Sequence, residues 1–397
     1  MTSASIAPPA RFAVGVALVA ASAIVLLVVV LSPGAIRAEG NEDLRATLDE
    51  VRTRHDLPAL WAGRFHADGR RVFAVSGVRK HGEVDPARPE DLVHIGSCTK
   101  AMTAVMIARL WTAGKLSPDT TLAECFPEVH GAEGGALATS RWGSVTIDDL
   151  LRHTSGAPAN PDWWALHRTH PSDPVAARRG LLEWLLSQPR PAEPGFLYSN
   201  VGYALLGHIV ESNAGKPWEK LVAEEVFQPL GIGTAGFGPL PEEGRAGAWG
   251  HVVREGVTEP VRIDNPPPLG PAGRVHLSME DWSRFALAFT RDRREGDEPR
   301  LGVSPRDWAR WLAPRDGEHY AGGWGLHERA WGGGRVLSHA GSNTTWYCVA
   351  WVAPGRNFCL LGATNSGAPA AAQACDEAVS ACLDPRLLPL SDSAERR

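Results

Sequence analysis

Ser97-Cys98-Thr99-Lys100 sets a hydroxyl and an amine three residues apart at the start of an apolar segment. On a helix, positions i and i+3 project from one face about one turn apart, so the amine stands beside the hydroxyl and can take its proton. That chemistry needs a lysine that is neutral part of the time, and burial near a helix N-terminus lowers an ammonium pKa in that sense. The outcome is an activated serine nucleophile. Ser-x-x-Lys alone is a pattern that chance supplies often, so the weight falls on its company. Pro194-Gly195-Phe196-Leu197-Tyr198-Ser199-Asn200-Val201-Gly202-Tyr203 offers a phenol at Tyr198 and an amide at Asn200 in a loop just ahead of a helix. Ser338-His339-Ala340-Gly341-Ser342-Asn343 ends a strand and has, at Gly341, a residue where a substrate backbone could approach closely.

These groups need elements to hold them. Leu60 to His66 and Arg71 to Gly77 are short, partly alternating segments joined through Asp68-Gly69, a strong hairpin signal, so the folded body is expected to open with antiparallel strands. From Ser97 to Trp111 the apolar residues Met102, Val105, Met106, Ile107, Ala108 and Leu110 cover most of a helix, and Gly114 is a natural stop. The middle is rich in Pro, Gly and Trp, with helical pieces at Ile147 to Arg152, Gly180 to Leu186, Tyr203 to Asn213 and Trp218 to Phe227. Ser278 reads as an N-cap with Asp281 at the third helical position, opening a helix to about Phe289. Strand character returns at Gly323 to Leu326, Arg335 to His339, Thr345 to Ala353 and Phe358 to Ala363, and an Ala-rich helix follows Pro369. The class is α+β: an antiparallel sheet built from both ends of the folded body with flanking helices, a mostly helical insertion over about 117–270, and a site in the cleft between them.

Ile95-Gly96 before the serine and Leu150-Leu151-Arg152-His153-Thr154-Ser155-Gly156 complete a series of motifs spaced about 100 and then about 140 residues apart. Their order resembles the serine β-lactamase and penicillin-binding-protein superfamily, closest to the class C β-lactamase branch with its D-Ala-D-Ala carboxypeptidase and esterase relatives. The resemblance covers most of the chain beyond the N-terminal segment and implies a β-lactamase/transpeptidase-like fold. It implies Ser97 as the acylated nucleophile, with Lys100 and Tyr198 sharing acid and base work and Asn200 orienting lysine and substrate. Which of lysine and tyrosine takes the proton stays open. The backbone amides of Ser97 and Ser342 would form the oxyanion hole, and His339 and Gly341 would belong to the substrate-binding strand.

One departure bears on the substrate. Where many β-lactamases have Lys-Thr-Gly, this chain has His339-Ala340-Gly341, which exchanges an ammonium for an imidazole and removes a hydroxyl that Ser342 could replace. Anchoring of a carboxylate should weaken, so an ester or D-amino-acid peptide is expected ahead of efficient β-lactam hydrolysis. The alternative is a non-catalytic, membrane-anchored scaffold, against which the intact Ser97, Lys100, Tyr198 and Asn200 argue. His153 reads as a structural turn, and Cys98, about 100° round the helix from Ser97, as a packed thiol. Trp346 is left as either cleft wall or core, and Glu183 and Asp281 receive no role.

Composition bounds the partners. With 40 Lys plus Arg against 45 Asp plus Glu, a net charge of −5 and no run of like charges, nucleic acid is excluded. Apolar residues at 44% and charged residues at 21% exclude disorder as the main state. Phe12 to Leu31 is apolar and uncharged over about the ~20 residues that cross a bilayer. Arg11 precedes it while Glu39, Glu42 and Asp43 follow, which puts the body outside the cytoplasm. Ile36-Arg37-Ala38 is a poor cleavage site, favouring an uncleaved anchor over a cleaved signal. The expected organisation is a short cytoplasmic segment at 1–11, the anchor or signal at 12–31, a linker at 32–41, the hydrolase domain at 42–387 and a flexible tail at 388–397. The six Cys are read as buried free thiols: Cys375 and Cys382 share a helix face too far apart to bond, and Cys348 and Cys359 flank a turn at unequal offsets. No Cys-x-x-Cys or His-x-x-x-His pair occurs, so no metal or cofactor is implied. The expected partners are a small-molecule or peptide acyl substrate and, through the N-terminal helix, the membrane.

Overall fold

A computed structural model of the chain describes residues 41–129, 137–241, 247–290, 301–315 and 317–388. The span expected at 12–31, its linker up to residue 40 and the tail beyond residue 388 lie outside the described residues. Among the described residues no helix is long and apolar enough to cross a membrane.

The body does not open with strands. Helix α1 (Asn41–Arg54) comes first, burying Leu44, Leu48 and Val51 at spacings of four and three, one narrow apolar stripe among many charges. The expected hairpin follows as β1 (Ala59–His66) and β2 (Arg71–Gly77). Strand β3 (Leu92–His94) leads through a single 3-10 turn, Gly96–Cys98, into α2 (Thr99–Thr112). Helix α2 is apolar nearly all round and is swallowed by the core, where each fully buried Val, Met or Ile contributes about 1.5–3 kcal/mol. Gly114, at φ +67°, ends it in the left-handed conformation as its position predicts.

The insertion holds α3 (Leu122–Cys125), α4 (Ile147–Leu151), α5 (Trp163–Thr169), α6 (Pro174–Leu186), α7 (Asn200–Ala214) and α8 (Trp218–Val222). Two helices start earlier than periodicity suggests, because caps rather than apolar residues set their ends. Asp173 caps α6 and Ser199 caps α7, so the two helices begin six and three residues ahead of the expected starts. Buried Arg178 of α6 pairs with Glu211 of α7 at 2.5 Å and Glu219 of α8 at 3.1 Å, tying the layer together. The region is less purely helical than expected, for it also holds β4 (Gly236–Phe237), β5 (Gly250–Arg254) and β6 (Val257–Val261). The β5-β6 turn is Glu255-Gly256 with φ of +50° and +80°, a primed hairpin turn written without the usual Asn-Gly or Asp-Gly.

Helix α9 (Gly270–Gly273), β7 (Val275–Ser278), α10 (Met279–Leu287) and α11 (Pro305–Trp311) lead into β8 (Tyr320–Ala321) and β9 (Trp324–Arg329). Strands β10 (Gly334–Ser342), β11 (Tyr347–Ala353) and β12 (Phe358–Thr364) follow, and α12 (Ala371–Ala381) is the last helix. Ser278 caps α10 by accepting from the Asp281 amide, as expected, and Asp281, given no role, accepts from the Gly233 and Thr234 amides. The main sheet is antiparallel in the order β2-β1-β12-β11-β10-β9-β8, so both ends of the body do assemble it. Alternation along β1 sends Trp61 and Phe65 into the main core and Leu60 and Ala62 towards α1 and α12. A smaller sheet, β3-β7-β4, pins His94 opposite His276 just ahead of the turn that carries Ser97. Trp346 belongs to the core, 5.9 Å from the Trp61 ring, and does not wall the cleft.

Candidate active site

The Ser97 turn lies backbone to backbone against the end of β10. Gly96 sits at φ +46°, and a Cβ there would come within 2.4 Å of the Ser342 nitrogen. A Cβ on Gly341 would come within 2.1 Å of the Ile95 carbonyl oxygen and 2.9 Å of the Ser97 nitrogen. The glycine at 341, expected for the approach of a substrate, is thus required by the protein's own nucleophile turn. Strand β10 also runs past its expected end at His339, pairing with β11 as far as Ser342 opposite Tyr347, which brings Ser342 to the Ser97 turn. The Ser342 hydroxyl oxygen accepts from the Thr344 amide at 2.9 Å, leaving its hydrogen for a ligand.

Lys100 is fully buried, with Nζ 3.1 Å from Ser97 Oγ, 2.7 Å from Asn200 Oδ1 and 2.7 Å from the Ala272 carbonyl oxygen. Burial holds its pKa well below that of an ordinary lysine. A neutral amine has two N–H donors and one lone pair. Asn200 Oδ1 and the Ala272 carbonyl can only accept, so they take the two donors and leave the lone pair facing the Ser97 hydroxyl. The Asn200 amide is oriented from behind, its Nδ2 donating to Asn160 Oδ1 at 2.8 Å. Asn160 and the Ala272 carbonyl were missed by sequence reasoning. The one local signal for Asn160 was a lone amide between Pro158 and Pro161, just after the Thr154-Ser155-Gly156 turn.

Tyr198 lies beside them, its ring centroid 4.8 Å from Lys100 Nζ. Burial pushes the phenol pKa up, and a neighbouring Ser97 hydroxyl only partly offsets this, so Tyr198 stays protonated at neutral pH. Its oxygen has no well-formed hydrogen bond among the described residues. His153 braces this loop as a structural turn. At φ +62°, its carbonyl accepts from the Leu197 amide at 2.8 Å and its Nδ1 from the Ser199 amide at 3.0 Å, with the ring centroid 4.4 Å from that of Tyr198.

His339 is not poised as expected. Its Nδ1 is 2.6 Å from the Ala340 carbonyl oxygen and its Nε2 is 3.0 Å from the Tyr320 hydroxyl. A carbonyl can only accept, so Nδ1 carries the proton and Nε2 accepts from Tyr320 in the neutral ring. Both nitrogens are engaged within the protein, and neither is free for a substrate carboxylate. Tyr320, in no recognisable motif, is a third residue that sequence reasoning missed. Cys98 is buried with Sγ 3.4 Å from the His339 carbonyl oxygen and 3.7 Å from Cys348 Sγ. All six Cys are free thiols, five of them buried and Cys125 half-buried.

A cleft of about 530 Å³ opens beside the end of β10, lined in part by Trp164, Ile263, Asn265, Asn343 and Thr344. Phe196 and Leu197 are exposed next to Tyr198. A larger cavity of about 640 Å³, lined by Arg315, His327 and Arg335 among others, holds none of these groups. Among the described residues no group of three or more His, Cys, Asp or Glu is placed to hold a metal ion.

A serine at a helix start, a buried lysine, a phenol and a strand end against the serine's own turn define the centre of a serine acyl-transfer enzyme. The Beta-lactamase family model matches residues 44–381, and the chain belongs to that family of serine hydrolases. Penicillin-binding protein 4 of Amycolatopsis lactamdurans is 29% identical over 342 residues, covering 80% of this chain and 84% of the relative. Esterase EstB of Burkholderia gladioli is 30% identical over 240 residues, covering 53% of this chain and 58% of the esterase, little more than half its length. D-alanyl-D-alanine carboxypeptidases are also among the relatives. The class C β-lactamase of Rhodobacter sphaeroides superposes with a TM-score of 0.66 at 22% identity, covering 86% of this chain and 97% of that one. At that identity the likeness is one of fold.

Proposed function

We propose that this protein is a membrane-tethered serine hydrolase acting outside the cytoplasm, which cleaves an ester or a D-amino-acid peptide in preference to a β-lactam. The observation that carries the reading is the contact of Lys100 Nζ with Ser97 Oγ at 3.1 Å in a fully buried setting. The Lys100 and Tyr198 pair takes the serine proton as Oγ attacks the substrate carbonyl. The negative charge that develops on the carbonyl oxygen is met by the Ser97 and Ser342 amides. Collapse breaks the bond to the leaving alcohol or amine, which receives the proton, and water then hydrolyses the acyl-serine. Support for the substrate preference comes from His339, whose nitrogens are both engaged, and from an esterase and a carboxypeptidase among the relatives. The tether rests on the apolar span Phe12 to Leu31 and its charge asymmetry.

The test is a fluorophosphonate probe on wild type and Ser97→Ala, with hydrolysis screened across p-nitrophenyl esters, D-Ala-D-Ala peptides and β-lactams. A Ser97-dependent adduct with turnover of an ester or D-peptide is expected. No adduct in folded wild type sinks the hydrolase reading, and a β-lactam turned over best sinks the preference.

A further inference from the structure

The oxyanion hole of the proposed hydrolase depends on two amides that come from opposite ends of the body. Ser97 follows β3 and Ser342 ends β10, and no covalent constraint fixes the gap between them. A buried carboxylate spans it. Asp264, in the segment after β6, has a side chain only 1% exposed.

On the nucleophile side, Asp264 Oδ1 lies 2.9 Å from His94 Nε2. The approach is bent, so the contact is more electrostatic than a directed hydrogen bond. His94 is fully buried in β3, and its Nδ1 accepts from the Gly96 amide at 3.1 Å, at the start of the turn that presents Ser97. Because Nδ1 accepts, the proton of the neutral ring sits on Nε2 and faces the carboxylate. On the strand side, the same Oδ1 accepts from Asn343 Nδ2 at 3.0 Å. Asn343 follows Ser342, and its Oδ1 closes the turn by accepting from the Thr345 amide, the Thr345 hydroxyl and the Trp346 amide at 3.0–3.2 Å. Asp264 Oδ2 accepts from Arg274 Nε at 3.3 Å, one residue beyond α9, which supplies the Ala272 carbonyl for Lys100.

We propose that Asp264, acting through His94 and Asn343, is a positioning residue that sets the spacing of the Ser97 and Ser342 amides before substrate binds. A carboxylate suits this place because its two oxygens accept from Asn343 and Arg274 while its charge faces His94 Nε2, whereas an amide of the same shape must turn one donor towards another donor. Burial alone would raise its pKa, but His94, Asn343 and Arg274 hold it below the ordinary carboxylate value, so it stays charged. The network makes no contact with Ser97 Oγ, Lys100 or Tyr198 and moves no proton in the reaction. Its contribution is to geometry, which matters because a hole is effective only when its donors already stand where the charge will form.

This inference rests on the hydrolase reading, so the first measurement is Ser97-dependent hydrolysis of a p-nitrophenyl ester by wild type. Its absence defeats that reading and not the network. With turnover in hand, Asp264→Asn is expected to lower kcat by about 10- to 100-fold with KM within about 3-fold, the signature of an interaction made only in the transition state. Affinity for a boronic acid, whose tetrahedral adduct on Ser97 occupies the hole, should fall by the same factor. His94→Asn keeps an acceptor for the Gly96 amide but is too short to reach Asp264, so it should repeat both losses. A folded Asp264→Asn with kcat within 3-fold of wild type overturns the proposal, as does a loss confined to KM with boronate affinity unchanged. If neither variant folds, the network serves the fold and the positioning role is equally overturned.

Discussion

Lys100 Nζ stands 2.7 Å from Asn200 Oδ1, the closest side-chain contact of a lysine that is wholly buried. No carboxylate of the described residues is within ion-pair distance of it, so burial favours the neutral amine and lowers its pKa. The pH dependence follows in sign. Activity should fall as pH drops through the lysine pKa, because the protonated amine has no lone pair for Ser97. In stability, the unfolded chain holds this proton up to about pH 10.4 while the folded chain releases it earlier, so the lysine's contribution rises with pH across that window and is lost as pH falls towards the folded pKa. Urea unfolding from pH 6 to pH 10 should show wild type gaining on Lys100→Met by up to about 1.4 kcal/mol per pH unit inside the window. Parallel curves for the two proteins would contradict a lowered lysine pKa.

Cys98 neighbours the nucleophile but is turned into the core, 1% exposed, with its sulfur on the His339 carbonyl and Cys348. A serine-directed probe should therefore label Cys98→Ala at close to the wild-type rate and leave Ser97→Ala unlabelled. Mass spectrometry should place the adduct on the peptide that holds Ser97. Labelling that persists in Ser97→Ala would transfer the role to another group.

What could be read ahead of the structure follows a physical line. Ser97 and Lys100 are one helical turn apart, and Tyr198 and Asn200 stand two residues apart where a loop enters α7, so local spacing carries their relation. The β1-β2 hairpin announced itself through Asp68-Gly69, and α10 through its Ser278 cap. Helix α1 hid because its buried face is three residues wide amid charges, and the β5-β6 hairpin because Glu255 takes a conformation that Asn or Asp usually signals. Asn160, Asp264, Ala272 and Tyr320 meet the site through tertiary contacts between segments far apart in the chain, and no period links such residues. At Gly341, where the sequence predicts the approach of a substrate backbone, what approaches is the Ile95 to Ser97 backbone, a tertiary fact.

Gly341→Ala tests that approach. The new methyl would sit 2.1 Å from the Ile95 oxygen, so either β10 or the Ser97 turn must move by about an ångström. A shift of that size between oxyanion donors costs about 10²-fold in rate. We expect kcat for an ester to fall about 100-fold or more, with boronate affinity falling alongside and the far-ultraviolet spectrum retained. A folded variant with wild-type kcat would mean that the strand end does not set the site.

The proposed tether gives a topological prediction. Alkaline phosphatase fused after Asn41 should be active, and high-salt washing of membranes should not release the native chain, because Phe12 to Leu31 is long enough to span and its flanking charges orient it. A released chain with a new N-terminus near Glu39 would show a cleaved signal instead.

The proposed substrate preference turns on His339 and Tyr320. In a β-lactam enzyme of the Lys-Thr-Gly kind, an ammonium at this position can reach a substrate carboxylate. Here the imidazole is 7% exposed and spends Nδ1 on the Ala340 carbonyl and Nε2 on the Tyr320 hydroxyl. A charge-assisted hydrogen bond of about 1.5–3 kcal/mol is thereby missing, or roughly 10- to 150-fold in transition-state binding of a carboxylate-bearing β-lactam. A neutral ester loses nothing by it. Short-chain p-nitrophenyl esters should thus exceed penicillins and cephalosporins in kcat/KM. His339→Lys should move the ratio towards β-lactams, though it leaves the buried Tyr320 hydroxyl facing an ammonium that must turn away to meet substrate. His339→Lys with Tyr320→Phe removes that competing acceptor and should move the ratio further than the single change. If both variants fold and keep the wild-type ratio, or if wild type already prefers a cephalosporin to every neutral ester tried, the engaged imidazole does not govern the choice of substrate.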